Sequence, residues 1–213
     1  MTTTDFFTLC CKNGLISGAL RLLLACVLLV AAAAAQAQAL TEITQLRLER
    51  SEDEWQLSAQ LQFDMPAPVE DALLKGIPMV FVVSADVLRE RWYWVSDKKV
   101  LSVERNMRLA YQPLTRRWRL NVNAGAPVSS GVGLALNQSF DTLAQALSAI
   151  KRIAKWRIAD ASDIDGSAKH KVDFRFRLDL GQLPRPFQIG AIGQSDWDIS
   201  AAVLVPLVAE SAR

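Results

Sequence analysis

The chain has 213 residues, of which 51% are hydrophobic, and its 24 basic and 22 acidic side chains leave a net charge of +2. A charge so close to neutral argues against a nucleic-acid-binding protein, because such proteins usually carry a strongly basic domain. The three cysteines, Cys10, Cys11 and Cys26, all lie in the first 39 residues, so the rest of the chain has no disulfide and no thiol chemistry.

Residues 1–39 have the pattern of an export signal. Two basic residues precede an apolar run, Leu22–Ala35, and the A-x-A-like motifs after it predict cleavage after Ala37 or Ala39. The run is 14 residues long, which is shorter than the ~20 residues that a membrane-spanning helix needs. We therefore expect a periplasmic protein exported by a cleaved N-terminal signal. The alternative is an inner-membrane protein anchored by an uncleaved leader.

The chain after the leader has the length of a single domain. A domain of this size buries about 70% of the surface that its unfolded chain exposes, which is enough for a core without disulfides or metals. We expect this domain to extend over residues 40–206, with residues 207–213 as a C-terminal tail.

The first predicted elements are a β-hairpin and a helix. Trp55–Phe63 alternates apolar and polar side chains, and Ser51–Asp53 separates it from a preceding strand, Ile43–Arg50. Pro68–Lys75 begins with proline, has acidic side chains in its first turn and is followed by Gly76. This pattern predicts a short helix.

The next predicted strand, Met79–Val95, ends in the stretch RERWYW. In a regular strand the two tryptophans share one face, and Arg89, Arg91 and Tyr93 share the other. A bulge near Arg89 would exchange the two faces. Two interpretations follow: either the tryptophans pack in the core, or Arg89, Arg91 and Tyr93 form a surface that binds an anionic or sugar partner.

Two further strands, a loop and a second helix follow. Leu101–Tyr111 and Trp118–Val122 show the same alternation, while Asn123–Gly133 is rich in Gly, Pro and Ser and predicts a loop. Ser139–Lys151 carries an apolar stripe at helical spacing, and Ser139 is its expected N-cap.

A last alternating strand and a flexible segment complete the pattern. Val172–Leu180 alternates without a break, and Gly181–Asp196 is rich in Gly and Pro. Strands with one apolar and one polar face are typical of antiparallel sheets. We therefore expect a mainly β (α+β) fold, an antiparallel β-sandwich or open barrel of about seven or more strands with two short helices.

The elements contain no catalytic motif. His170, the only histidine, lies between Lys169 and Lys171, a setting that predicts solvated surface and not a catalytic base. One histidine and no cysteine after the leader also argue against a zinc site. The acidic stretch Asp160–Gly166 lacks two of the ligands of a calcium loop, and it predicts a polar hairpin turn. We expect no enzyme, no cofactor and no metal.

Three stretches resemble those of an exported proteobacterial family, domain of unknown function 4390: ALLKGIPMVFVVSADVLRERWYW, FDTLAQALSAI and LPRPFQIGAIGQSDWDIS. The resemblance covers Ile43–Ser200. It implies a location in the periplasm or envelope, no established activity, and genes that often neighbour the gene of a membrane sensor kinase. It provides no catalytic residues.

Together these features predict a non-enzymatic module that binds a partner. The expected partner is a periplasmic or inner-membrane protein, and the resemblance suggests a sensor kinase. The alternative is a binder of an envelope glycan or lipid through Arg89, Arg91 and Tyr93. We expect no nucleic-acid partner, and membrane contact only if the leader is retained.

Overall fold

Two antiparallel β-sheets share one hydrophobic core in the computed structural model, which describes residues 41–91, 97–124, 135–165, 168–191 and 193–208. The strands of this described part are β1 (Glu42–Ser51), β2 (Glu54–Gln62), β3 (Met79–Arg89), β4 (Lys98–Gln112), β5 (Arg117–Ala124), β6 (Ala135–Phe140), β7 (Arg152–Asp160), β8 (His170–Leu178) and β9 (Ser200–Pro206). Its α-helices are α1 (Ala67–Leu74), α2 (Leu143–Lys151) and α3 (Arg185–Ala191). The mainly β fold predicted from the sequence is confirmed.

The two sheets differ in width. The smaller sheet has the strand order β1-β2-β7, and the larger sheet has the order β6-β5-β4-β3-β8-β9. All neighbouring strands are antiparallel. Because β3 lies between β4 and β8, the end of β3 at Arg89 is next to the start of β8 at His170.

The core lies between the inner faces of the two sheets. Leu57 and Leu61 of β2 contribute from the smaller sheet, and the alternate residues of β3, β4 and β8 contribute from the larger one. Phe63, Phe81 and Phe176 meet in the centre, with ring centroids 5.3 to 6.0 Å apart. The alternation in the sequence predicted the buried faces of β2, β4 and β8 correctly, whereas β3 is buried on both faces along Met79–Val83.

Helix α1 forms where the sequence predicts a helix. Pro68 lies in its first turn, where the missing N–H removes no intrahelical hydrogen bond. Gly76 follows the helix with a φ of 82°, a conformation that favours glycine, and its N–H donates to the carbonyl oxygen of Leu73 at 2.8 Å.

Helix α2 begins three residues later than predicted, since its N-cap moves from Ser139 to Thr142. Thr142, not Ser139, is the N-cap, and its Oγ1 accepts a hydrogen bond from the N–H of Gln145 at 3.3 Å. Ser139 lies in β6, because the pairing of β6 with β5 continues as far as Phe140 and keeps this stretch extended. The predicted N-cap was therefore wrong.

Two connections also differ from the prediction. The segment Gly181–Asp196 was predicted to be flexible, but it contains α3 and places Leu183 and Ala191 in the core. The acidic stretch Asp160–Gly166 is not a hairpin turn, because β7 and β8 belong to different sheets. It leads from one sheet to the other and begins with a short 3-10 helix, Ala161–Asp163.

Some predictions lie outside the described residues. These are the export signal, the aromatic residues Trp92, Tyr93 and Trp94, and most of the loop Asn123–Gly133. In the part of the chain that is described, no helix has both the length and the apolar character needed to cross a membrane.

Candidate functional site

The ends of β3 and β8 form a charged cleft with a volume of about 520 Å³. We call it the strand-end cleft, and it is lined by Arg89, Glu90, Arg91, Asp97, Ala168, Lys169 and Lys171. These residues include four cations and two carboxylates, so the lining carries a net charge of +2. The cleft combines residues from the end of β3, from the residue before β4 and from the start of β8.

Backbone pairing between β3 and β8 positions the charged side chains. Arg89 is the cross-strand partner of His170, and the N–H of Glu90 donates to the carbonyl oxygen of Lys169 at 2.9 Å. The two strands are far apart in the sequence, so the cleft depends on the register of the larger sheet.

Two carboxylates hold Lys171 in the strand-end cleft. Its Nζ lies 2.8 Å from Oε1 of Glu90 and 3.8 Å from Oδ2 of Asp97. The hydrogen bond from Lys171 lowers the pKa of Glu90, and the same contact raises the pKa of Lys171. Glu90 therefore stays ionised and Lys171 stays protonated over a wider pH range than either group would alone.

The other three cations of the cleft are held loosely or have no carboxylate partner. Arg89 Nη2 lies 3.9 Å from Oδ2 of Asp165, which is longer than the ~2.7–2.9 Å of a charge-assisted hydrogen bond. Among the described residues, no carboxylate oxygen lies within 4.0 Å of Arg91 or Lys169. These two side chains are therefore available to an anion from outside the chain.

His170 is buried, contrary to the prediction that it is solvated. Its side chain is only 6% exposed, and its Nδ1 lies 3.0 Å from the carbonyl oxygen of Ala168. The reason is its position in β8, where it points to the same face as Val172 and Phe174 and extends the core by one residue pair. The lysines on either side of it alternate to the opposite face.

The structure brings two of the three predicted site residues together. Arg89 and Arg91 both line the strand-end cleft, while Tyr93 lies outside the described residues. The alternative of a bulge near Arg89 is not realised in β3. The register between β3 and β4 does shift there, but the additional residue is Val100 of β4. Strand β3 is regular against β8 up to Arg89.

The prediction missed the cations that β8 adds to the cleft. Lys169 and Lys171 were visible in the sequence as part of the basic run KHK. Nothing local in the sequence indicates that this run pairs with the end of β3, because the two segments are far apart in the chain.

A second charged group lies on the outer face of the larger sheet. Asp86 is 8% exposed, accepts a hydrogen bond from Ser102 Oγ at 2.5 Å and lies 2.6 Å from Nζ of Lys99. Asp173, its cross-strand neighbour, pairs with Arg175. Each carboxylate thus has its own cation, as in a structural ion-pair network. No group of three or more His, Asp or Glu side chains in the described residues is arranged to hold a metal ion.

Comparisons with known proteins identify a family. Comparisons with curated proteins and with solved structures gave no significant match. A family model matches residues 38–205, a range that contains the strand-end cleft and both sheets except Pro206, the last residue of β9. The chain therefore belongs to the family described as domain of unknown function 4390 (DUF4390).

Proposed function

We propose that this chain is an exported, non-enzymatic binding module that holds an anionic group of an envelope glycan or lipid in the strand-end cleft. The observation that carries the proposal is that Arg91 and Lys169 line the cleft with no carboxylate oxygen of the described residues within 4.0 Å, although the charge of Lys169 acts on Glu90 from a longer distance. An anionic group would supply the missing counter-charge.

The chemistry of the cations favours a phosphate or carboxylate group. The planar guanidinium of Arg91 can donate two parallel hydrogen bonds to either group, and Lys169 can add a point charge. The volume of about 520 Å³ lies in the range of ~300–1,000 Å³ that is usual for small-molecule sites. A sugar phosphate or a lipid headgroup is a ligand of suitable size.

The directions of the pKa shifts favour binding over catalysis. A general acid or base works best when its pKa lies near the operating pH. In the strand-end cleft, the contact between Glu90 and Lys171 moves both pKa values away from neutral pH, because it lowers the pKa of Glu90 and raises the pKa of Lys171. Both groups therefore stay charged near neutral pH, so the charge of the cleft that a ligand meets is constant there.

The test is calorimetric titration of the full chain with two probes that each carry a phosphate group, one as a monoester and one as a diester. Glucosamine 6-phosphate represents a glycan, and vesicles of phosphatidylglycerol represent a lipid, with vesicles of zwitterionic phosphatidylcholine as the reference without net charge. We expect one of the anionic probes to bind, and its identity to distinguish the two sources. Absence of binding to both probes would contradict the proposal.

A matched pair of double variants locates the binding. Arg91→Gln with Lys169→Gln removes the two cations that have no carboxylate oxygen of the described residues within 4.0 Å, and it should weaken binding at least tenfold. Arg50→Gln with Lys75→Gln removes the same charge from exposed positions outside the cleft and should leave binding unchanged. If both pairs weaken binding equally, the attraction is a general effect of net charge and the cleft is not the site.

A protein partner is the second candidate, and the edges of the larger sheet favour it. The edge strands β6 (ALNQSF) and β9 (SAAVLVP) contain no charged side chain. Uncharged edge strands are open to the addition of a strand from another protein. Crosslinking in the envelope followed by mass spectrometry should recover a sensor kinase if this candidate is right. The substitutions Asn137→Lys and Ala202→Lys should then reduce its recovery.

A further inference from the structure

Arg105 is a cation on the inner face of the larger sheet. On β4 it alternates with the same parity as Val103 and Met107, which are both buried. Its cross-strand neighbour on β3 is Val83. The guanidinium carbon lies 5.0 Å from the ring centroid of Trp156, which belongs to β7 of the other sheet. Arg105 therefore lies between the two sheets, where a hydrophobic side chain is the usual occupant.

The charge of Arg105 has no counter-charge in the described residues. In the described part of the chain, its buried Nε has no hydrogen-bond partner and no carboxylate oxygen lies within 4.0 Å of the guanidinium. Burial lowers the pKa of Arg105. A charge moved out of water without a partner costs free energy, so an anion at this place would be stabilising.

The rest of the sequence offers few acids that could pair with Arg105. Residues 125–134, which follow the cross-strand neighbour Ala124, contain none. Outside the described residues the only acidic side chains are Asp5, in the predicted leader, and Glu210. Glu210 comes after β9, the strand that β3 and β8 separate from β4. The missing anion is therefore best supplied by a ligand.

An apolar surface lies beside Arg105 on the same face of the sheet. Val122 on β5 is half-buried, and Leu136 on β6 is 60% exposed. Leu136 pairs with Val122, and Val122 pairs with Met107, so all three residues point to the inner face. Leu136 lies two strand spacings, about 10 Å, from β4. Arg105 thus lies at one end of an apolar surface formed by Val122 and Leu136.

We propose that Arg105 binds the carboxylate of a fatty acid whose apolar chain lies along Val122 and Leu136. A single guanidinium matches a single carboxylate, with which it forms two parallel hydrogen bonds. The apolar chain would cover Leu136, which the described residues leave exposed. The site is separate from the strand-end cleft, because none of these three residues lines that cleft.

The test is calorimetric titration of the full chain with dodecanoate below its critical micelle concentration. Acetate has the same head without the chain, and dodecyl maltoside has the same chain without the charge. We expect dodecanoate to bind at least tenfold more tightly than either. Equal binding of dodecanoate and dodecyl maltoside, or no binding of dodecanoate, would overturn the proposal.

Variants separate this site from the strand-end cleft. Arg105→Gln should weaken the binding of dodecanoate at least tenfold, Arg105→Lys should weaken it less, and Leu136→Gln should weaken it several-fold. Arg50→Gln, at an exposed position of β1 outside the cleft, should leave it unchanged. If Arg91→Gln weakens the binding as much as Arg105→Gln does, the ligand occupies the cleft and the proposal fails. Thermal melts of each variant identify any loss of binding that comes from unfolding.

Photochemical labelling gives an independent readout of position. A dodecanoate with a photoactivatable group near the end of its chain should label the tryptic peptide Leu120–Lys151, which contains Val122 and Leu136. Labelling confined to other peptides would overturn the proposal, even if the affinities agree with it.

Discussion

Lys171 Nζ lies 2.8 Å from Oε1 of Glu90, and this ion pair joins the two strands that form the strand-end cleft. Among the ion pairs described in the cleft, it is the shortest. It has two consequences for anion binding. The pair holds Lys171 in the cleft that Arg91 and Lys169 also line, and the charge of Glu90 partly cancels the attraction that the cations exert on an anion.

Replacing Glu90 with glutamine should strengthen anion binding. Glu90→Gln raises the net charge of the cleft lining from +2 by one unit and releases Lys171 for the ligand. We expect the affinity for sulfate to rise about threefold at low salt, and the gain to shrink as added salt screens the cleft. Glu49→Gln, on the exposed surface of β1, is the matched control. Equal affinities for both variants would count against the role assigned to Glu90.

The same ion pair predicts how binding depends on pH. Lys171 lowers the pKa of Glu90 below its ordinary value of 4.5. The stability that this pair contributes is therefore fully present above pH 4.5, and it is lost as the pH falls through the lowered pKa. Sulfate keeps its charge over this range, so its affinity should be constant between neutral pH and 4.5 and should rise at lower pH. The rise should be smaller in Glu90→Gln, and a rise beginning near neutral pH would disagree with the lowered pKa.

Removing the charge of Arg105 should stabilise the protein. Arg105→Met keeps a long side chain over Trp156 and removes a partly buried charge that has no carboxylate partner in the described residues. We expect the free energy of unfolding to increase by about 0.5–1 kcal/mol, which is a usual gain when a residue that serves binding at the expense of stability is replaced. Urea denaturation measures it, with Arg50→Met as the exposed control. A lower stability would mean that Arg105 is mainly a packing residue.

The N-cap of α2 can be tested by two single substitutions. Thr142→Ala should lower the free energy of unfolding by about 1 kcal/mol, because it removes the hydrogen bond that Gln145 donates to Thr142. Ser139→Ala should change it by less than about 0.5 kcal/mol, because Ser139 is exposed in β6. Urea denaturation of both variants decides between the two positions. A larger loss for Ser139→Ala would favour the N-cap predicted from the sequence.

The aromatic centre of the core should carry much of the stability. Phe176 is 1% exposed and its ring is stacked on that of Phe81 at 5.7 Å. We expect Phe176→Ala to lower the free energy of unfolding by about 3–5 kcal/mol, since it removes buried apolar area and leaves a cavity. Leu114→Ala, at a fully exposed turn position, should change it by less than about 0.5 kcal/mol.

The sequence predicted those features that depend on local patterns. Alternation identified the buried faces of β2 and β8, and the turn residues Ser51–Asp53 placed the first hairpin correctly. Gly76 indicated the end of α1, because ending the helix there requires only that this one residue adopt a positive φ. In each case the physical cause acts within a few residues, so the pattern is readable along the chain.

Features that depend on distant contacts were missed. Ser139 is as good a cap as Thr142, and only the pairing of β6 with β5 makes it part of a strand. His170 is buried because β8 lies beside β3 at that position. For the same reason Arg89 and Arg91 were identified as candidate site residues, while Lys169 and Lys171 were not. Local sequence does not specify which strands become neighbours.

The order of the strands has a consequence for how a newly made chain folds. Strand β2 pairs with β7, and β3 pairs with β8, so each sheet joins segments about a hundred positions apart, a topology with high contact order. A growing polypeptide that has reached only Phe140 has no partner for the second edge of β2 or β3. Its apolar strand faces stay open to aggregation until the last third of the chain arrives. We therefore expect the domain to fold slowly, and to form little stable structure before its synthesis is nearly complete.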